Sequence, residues 1–571
     1  MKKGFAYIIL AITFVIGIQV NTVKSQTYCN PLNLPYQFNA DSPFKYDISD
    51  PTIVLYKDNY FLFASNAGGY WYSGDLLSWK FVSAANLPFE NSAPTAFVIG
   101  DWMYFCTSLS NKIFRSKDPV SGNWEIYNSN SLLLAVISDF AIFADTDGRV
   151  YCYYGCSNND GVMARELDAN NLLNPIGVPV VCRMINTLKK GTKKPKENSA
   201  KSGGTYHAKS SWMNKYNGKY YYQCAELNSE LNNYSDVAYV SDSPMGPFTF
   251  ASNNPFSYRP DGFVSGAANG STFEDKFGNW WHIATVTAPK NQKSQTRLGL
   301  FPAGFDKEGN LFCKTDFADY PIIMPNQKLT NLSKLDPEWA LLSDNITAQA
   351  SSILASCPVT SAVDDNIDTF WSARTGKKGE WLMVDLGSVC TINALQLNFA
   401  ENKTQIIGSD SLFAYQYLVE YSTDRKNWKK LSDKTTNTQY ETNPYEAIRI
   451  PVQAQYIKIT NYHLPAGAFA ISDFRIFGLG TGRKPKKVTE FRAIRDFRNP
   501  QIVKMSWKKQ SKTTGYNIRY GTDKDKLYHS YQVHKNTRLN IHCPDKNKAY
   551  WFQMDAFNEN GVTPGKPILS K

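Results

Sequence analysis

Two aspartates, Asp50 and Asp139, stand at matching places in a phrase that recurs between residues 50 and 285. Each opens an apolar run, and each side chain can take up or give back a proton. The phrase begins Asp50-Pro-Thr-Ile-Val-Leu-Tyr56, turns through Lys57-Asp58, and continues Asn59-Tyr-Phe-Leu-Phe-Ala-Ser65. It returns over 93–108, 138–155, 210–223 and 270–285. Every copy is an apolar strand, a tight turn built on Asn, Asp or Gly, and an aromatic strand, which together make a hairpin. Five hairpins at near-regular spacing predict the blades of a propeller. A propeller aims the start of each inner strand at one axis, so Asp50 and Asp139 are expected to share a pocket.

Further phrases supply the outer strands. They run from Gly69 to Trp79, from Ile113 to Trp124, from Val162 to Asp168, from Val237 to Phe248 and from Leu298 to Asp306. With the hairpins they give about four strands per unit, between about residues 40 and 330. A second set of alternating strands begins near Leu342 with Ala362-Val-Asp-Asp-Asn-Ile-Asp-Thr-Phe-Trp371. It closes with Ala470-Ile-Ser-Asp-Phe-Arg-Ile-Phe477, the pattern of a β-sandwich. After the Gly- and Lys-rich linker 478–487, strands such as Ile502–Trp507, Thr514–Gly521 and Ala549–Ala556 describe a smaller sandwich. The expected class is all-β: a five-bladed β-propeller followed by two β-sandwich domains.

A length of 571 residues suits two to four domains, and 34 Tyr, 33 Phe and 13 Trp favour β-rich folds and sugar-stacking surfaces. Residues 1–25 read as a secretory signal: Lys2 and Lys3, an apolar run from Phe5 to Val20, then Val23-Lys24-Ser25. Beyond them no stretch is apolar enough to span a bilayer. A soluble protein, secreted or periplasmic, and a monomer are expected. The formal charge of +12 suits an acidic polysaccharide or an anionic cell surface. Nucleic acid is excluded as a partner by export and by scattered basic residues; the one run, Lys189 to Lys196, reads as a solvated loop. Ten cysteines permit disulfides without dictating them, and Cys106, Cys152 and Cys224 read as small core residues inside apolar strands.

Several phrases resemble glycoside hydrolase family 43, a five-bladed propeller family of α-L-arabinofuranosidases and β-xylosidases. They are Asp50-Pro51, Ser138-Asp139 through Gly148, Trp212 through Tyr221, and Gly270-Ser-Thr-Phe273 with Trp281-His282. The resemblance implies a propeller over 30–335 and inverting hydrolysis of arabinose- or xylose-containing plant polysaccharide. One carboxylate activates water, a carboxylic acid protonates the leaving oxygen, and a third carboxylate tunes that acid. Carried over, Asp50 matches the base and Asp139 the tuning carboxylate; each would otherwise be a strand-end Asp capping a turn. Residues 342–478 resemble the coagulation factor 5/8 C-type (discoidin) domain, which includes carbohydrate-binding module family 32. Residues 488–571 resemble fibronectin type III.

Two departures bear on activity. The family's acid falls in a Glu-Gly-x-Trp-like phrase that here reads Ala208-Lys209-Ser210-Ser211-Trp212, so Lys209 takes the acid's place. A lysine is a cation near neutral pH and a poor match to a glycosidic oxygen. Relatives carry His before Gly-Ser-Thr-Phe, and here Asn269 stands there. Glu197, Glu226 and Glu230 are the carboxylates near in sequence that would have to substitute. The resemblance therefore implies either a hydrolase with weakened acid catalysis or a non-catalytic glycan-binding protein. Trp71 is a candidate stacking face or a packed blade aromatic. Arg297 matches a position near substrate in relatives, or pairs at a strand edge. No cofactor is required. Asp365, Asp368 and Thr369 lie in a loop that holds structural calcium in discoidin relatives; their oxygens suit calcium and equally suit a solvated turn.

Overall fold

A computed structural model describes residues 26–35, 48–84, 86–89, 93–108, 110–155, 161–183, 208–228, 233–287, 296–400, 414–543 and 545–571. The expected signal 1–25, the run Lys189–Lys196, Glu197 and Glu230 lie outside these residues. No α-helix occurs among the described residues, and no helix is long and apolar enough to cross a membrane.

Five four-stranded antiparallel sheets follow one another along the chain, each in sequential strand order. Their inner strands are Ser49–Tyr56, Thr95–Ile99, Ala141–Ala144, Ala208–Tyr216 and Gly266–Glu274. Each inner strand borders the next, and the fifth borders the first, so the sheets close a ring as the blades of a propeller. The hairpin turns read as the composition predicts. Lys57-Asp58 and Asn217-Gly218 both have positive φ at both positions, the twist that suits a two-residue hairpin.

The long apolar runs have a simple cause. A blade is buried on both faces, so both sets of alternating side chains must be apolar. In Asn59–Ser65, Tyr60, Leu62 and Ala64 pack against blade five with Trp281 and Ile283. Phe61 and Phe63 point the other way and pack on Met103 and Phe105 of blade two. Three further clusters fill the gaps between blades two and three, three and four, and four and five. Cys106, Cys152 and Cys224 are buried in these clusters as expected, and no disulfide forms among the nine described cysteines.

The second module is one hydrogen-bonded network in which the strands Trp381–Phe399 and Tyr445–His463 pass register shifts and wrap round a shared core. The third packs a three-stranded sheet on a sheet of four strands extended by Ile568–Leu569, around Val503, Ile518, Phe552 and Met554. All three modules meet at a knot of buried charge. Arg475 of the second pairs with Asp365 at 3.0 Å and donates to the Asp319 carbonyl of the first. Arg259 of the first pairs with Asp319 at 2.7 Å and donates to Gln532 of the third at 3.1 Å.

That knot involves Asp365, one of the three residues of the calcium expectation. Asp365 has φ 52°, its side chain is turned inward onto Arg475, and its amide donates to Asp473 at 2.8 Å. Asp368 is exposed, and the Thr369 hydroxyl donates to Asp364 at 2.7 Å. Burial beside an arginine costs Asp365 less than burial alone. Among the described residues no cluster of three His, Cys, Asp or Glu can hold a metal.

Candidate functional site at the propeller axis

The start of every inner strand carries a non-glycine residue in the left-handed region. Asp50 (φ 52°), Ala93 (54°), Asp139 (51°), Ser210 (55°) and Asn269 (53°) occupy this place in blades one to five. Such a conformation costs roughly 1–3 kcal/mol and persists only where the surroundings fix it. Here each amide donates to a side-chain oxygen of the blade before it in the ring. Asp50 N–H meets Thr285 Oγ1 at 3.2 Å, Ala93 meets Ser65 Oγ at 2.8 Å, and Asp139 meets Ser108 Oγ at 3.0 Å. Asn269 N–H meets Asp236 Oδ1 at 2.9 Å. In blade four the acceptor is the Asp139 carboxyl, which takes the N–H of Ser210. One rule thus delivers five side chains to the axis, two of them carboxylates.

Asp50 is held by three hydroxyls. Ser210 Oγ donates to Oδ1 at 2.6 Å, while Ser49 and Ser65 donate to Oδ2 at 2.9 and 3.0 Å. A carboxylate offers about four acceptor sites, so one remains for a water or a sugar hydroxyl. Asp139 has its pKa raised, first by burial and then by the charge of Asp50; the Ser210 N–H and the charge of Lys209 oppose the rise. Ser210 therefore bridges the two carboxylates, with its amide on Asp139 and its hydroxyl on Asp50.

The axis brings together Asp50, Asp139 and Lys209 as expected. Lys209 precedes Ser210, pairs across the strand with Ala225, has an exposed side chain, and acts electrostatically on Asp139. Asn269 joins them through its backbone place, and its side-chain carbonyl oxygen is buried with no hydrogen-bond partner. Glu226, a candidate substitute by sequence, is engaged elsewhere. It is buried, paired with Arg183 at 2.6 Å and bonded to the Tyr239 hydroxyl at 2.7 Å.

Two expectations are corrected. Trp71 is 0% exposed in the core between blades one and five, and its indole N–H donates to the Pro35 carbonyl at 2.5 Å, so it offers no stacking face. Arg297 is 3% exposed; its Nε donates to Thr442 Oγ1 of the second module at 3.3 Å and its Nη1 to the Thr296 carbonyl at 3.0 Å. It lies at the seam between the first and second modules.

Sequence reasoning missed three residues. Ser210 and Ser65 carried no signal beyond their place at the ends of repeated strands. Asp236, on the third strand of blade four, accepts both Asn269 N–H and Gly270 N–H and meets His282 Nε2 at 2.9 Å. It pins blade five to blade four beside the axis. His282, quoted above within a matching phrase, is fully buried between Asp236 and Thr272.

Residues 41–302 match the model for glycosyl hydrolases family 43, and residues 345–470 match the F5/8 type C domain. A beta-xylosidase of Xylanibacter ruminicola is 26% identical over 216 residues, 34% of this chain and 59% of that protein. An arabinoxylan arabinofuranohydrolase of Paenibacillus polymyxa is 29% identical over 153 residues, 25% of this chain and 22% of that protein. The matches thus span less than two thirds of either relative. A solved glycoside hydrolase aligns with a TM-score of 0.46 at 17% identity, over 76% of this chain and 98% of its own.

Proposed function

We propose that this protein is an exported glycoside hydrolase-type protein that engages arabinose- or xylose-containing polysaccharide at the propeller axis. The observation that carries the reading is the coupled pair Asp50 and Asp139, brought from blades one and three and bridged by Ser210. The family match over 41–302 and the named activities of the two relatives supply the substrate class. The F5/8 type C module and a third, fibronectin type III-like sandwich extend the glycan-directed architecture.

In inverting hydrolysis Asp50 takes a proton from water as the water oxygen bonds the anomeric carbon. The bond to the leaving oxygen breaks, and that oxygen must gain a proton. General acids contribute about 10²–10⁴-fold to such steps. Lys209 stands where the acid is expected, and Glu226 is locked away by Arg183. The chemistry then runs well only for leaving groups that depart without a proton. Dinitrophenyl xylosides and arabinofuranosides are such substrates, and natural oligosaccharides are not.

A second reading, glycan recognition without turnover, is favoured by the three hydroxyls that occupy Asp50. Steady-state assays on aryl glycosides, arabinans and xylo-oligosaccharides separate the two. Turnover of the dinitrophenyl glycosides that Asp50→Asn abolishes supports the hydrolase. Absence of all turnover, with thermal stabilisation by xylose or arabinose oligosaccharides, selects the binder.

A further inference from the structure

The inner strands run away from the axis pocket, so their far ends lie on the opposite face of the propeller. Six residues separate Ser210 from Tyr216, roughly 20 Å of extended chain. On that far face a cavity of about 830 Å³ opens between blades four and five and the third module. Its propeller wall is aromatic. Tyr216 and Phe305 stack at 4.0 Å with planes 6° apart, and Trp280 meets Phe305 edge-on at 5.0 Å. All three are partly exposed, whereas the neighbouring Trp281 and Phe301 are wholly buried. The third module is seated against this wall by Tyr528, stacked on Phe312 at 4.3 Å, and by Lys526, paired with Asp306 at 3.1 Å. Glu274 and Asn331 are exposed within the same lining.

From this arrangement we infer a second carbohydrate site, which takes a neutral oligosaccharide on the face opposite Asp50 and Asp139. The C–H faces of a pyranose or furanose ring suit partly exposed aromatic surface, and flanking carboxylate and amide groups suit its hydroxyls. The volume accommodates several sugar rings. Because the cleft and the axis open on opposite faces, the two sites grip separate stretches of polysaccharide. The inference rests on the glycan-directed reading of the protein and is tested apart from it.

The experiment is affinity electrophoresis of the full chain in gels containing wheat arabinoxylan or linear arabinan, alongside dinitrophenyl xyloside and arabinofuranoside turnover. Circular dichroism confirms that Trp280→Ala and Glu274→Ala are folded. Both substitutions are expected to weaken retardation, Trp280→Ala by about ten-fold in dissociation constant, with aryl glycoside turnover unchanged. Equal retardation of the parent and both variants, or no retardation of the parent in either gel, overturns the cleft site. Retardation that depends on Trp280 in a chain without aryl glycoside turnover keeps the cleft and removes the hydrolase reading of the axis.

Discussion

The axis pocket and the three-module junction solve the same problem in opposite ways. Both gather aspartates from distant segments, buried at the junction and half-buried at the axis. At the junction each carboxylate is answered by an arginine: Asp365 by Arg475 and Asp319 by Arg259. At the axis the answers include three hydroxyls and one amide, and Lys209, whose side chain is exposed, acts on Asp139 through its charge. Paired charge holds the modules together at the junction. At the axis the Asp139 pKa rises, first through burial and then through the Asp50 charge, with the Ser210 amide and the Lys209 charge opposing.

The largest contrast comes from removing a cation from each region. Arg475→Met leaves Asp365 buried without its partner and is expected to cost about 3–5 kcal/mol, read by urea denaturation. Lys209→Met touches an exposed side chain and should change stability by less than about 0.5 kcal/mol. Equal losses would remove the distinction between the two regions. Next in size, Asp50→Asn should lower dinitrophenyl glycoside turnover by about 10²–10⁴-fold with little change in Tm, since its proposed role is proton transfer. A fall in Tm without loss of turnover would make Asp50 a strand cap.

The pH dependence of stability is expected from the junction. Burial pushes Asp365 up to about 7, with Arg475 opposing. Below the ordinary carboxylate value of ~3.9 the group is protonated in folded and unfolded chains alike. Between ~3.9 and about 7 the folded chain holds the extra proton, so this group's stability contribution falls as pH rises through that window and levels off above it. The slope is at most about 1.4 kcal/mol per pH unit. Denaturation of the parent and of Asp365→Asn between pH 5 and 8 should show the slope in the parent and a flatter line in the variant.

The smallest effect concerns Lys209 and Asp139. Lys209→Met removes the charge that holds the Asp139 pKa down, so the pH profile of turnover should move upward by less than about one unit. A downward shift would show that Lys209 does not act on Asp139.

Much of this was legible in the sequence. The five-fold phrase located Asp50 and Asp139 because a blade buried on both faces must be apolar throughout, and the polar residue that ends the run stands out. Lys209 was legible by its place beside Trp212. Ser210 was not, since its role arises from a left-handed backbone and bonds across three blades that no local pattern encodes. Trp71 and Arg297 were each left with two readings for a related reason. Period-two alternation says that a side chain points to one face or the other, but which neighbour occupies that face depends on how the ring and the second module pack. Asp365 looked like an oxygen ligand on a polar loop; only the approach of Arg475 from a strand more than a hundred residues later turns it inward.

The central claim is that the axis keeps its base and lacks its acid. Measuring kcat/KM for the parent and Lys209→Glu over aryl xylosides and arabinofuranosides of decreasing leaving-group acidity, ending with natural oligosaccharides, tests it most directly. A steep decline in the parent that Lys209→Glu flattens, with a gain concentrated on the natural substrates, is the predicted result. A parent that cleaves natural oligosaccharides as readily as dinitrophenyl glycosides, and loses that ability in Lys209→Glu, would contradict it.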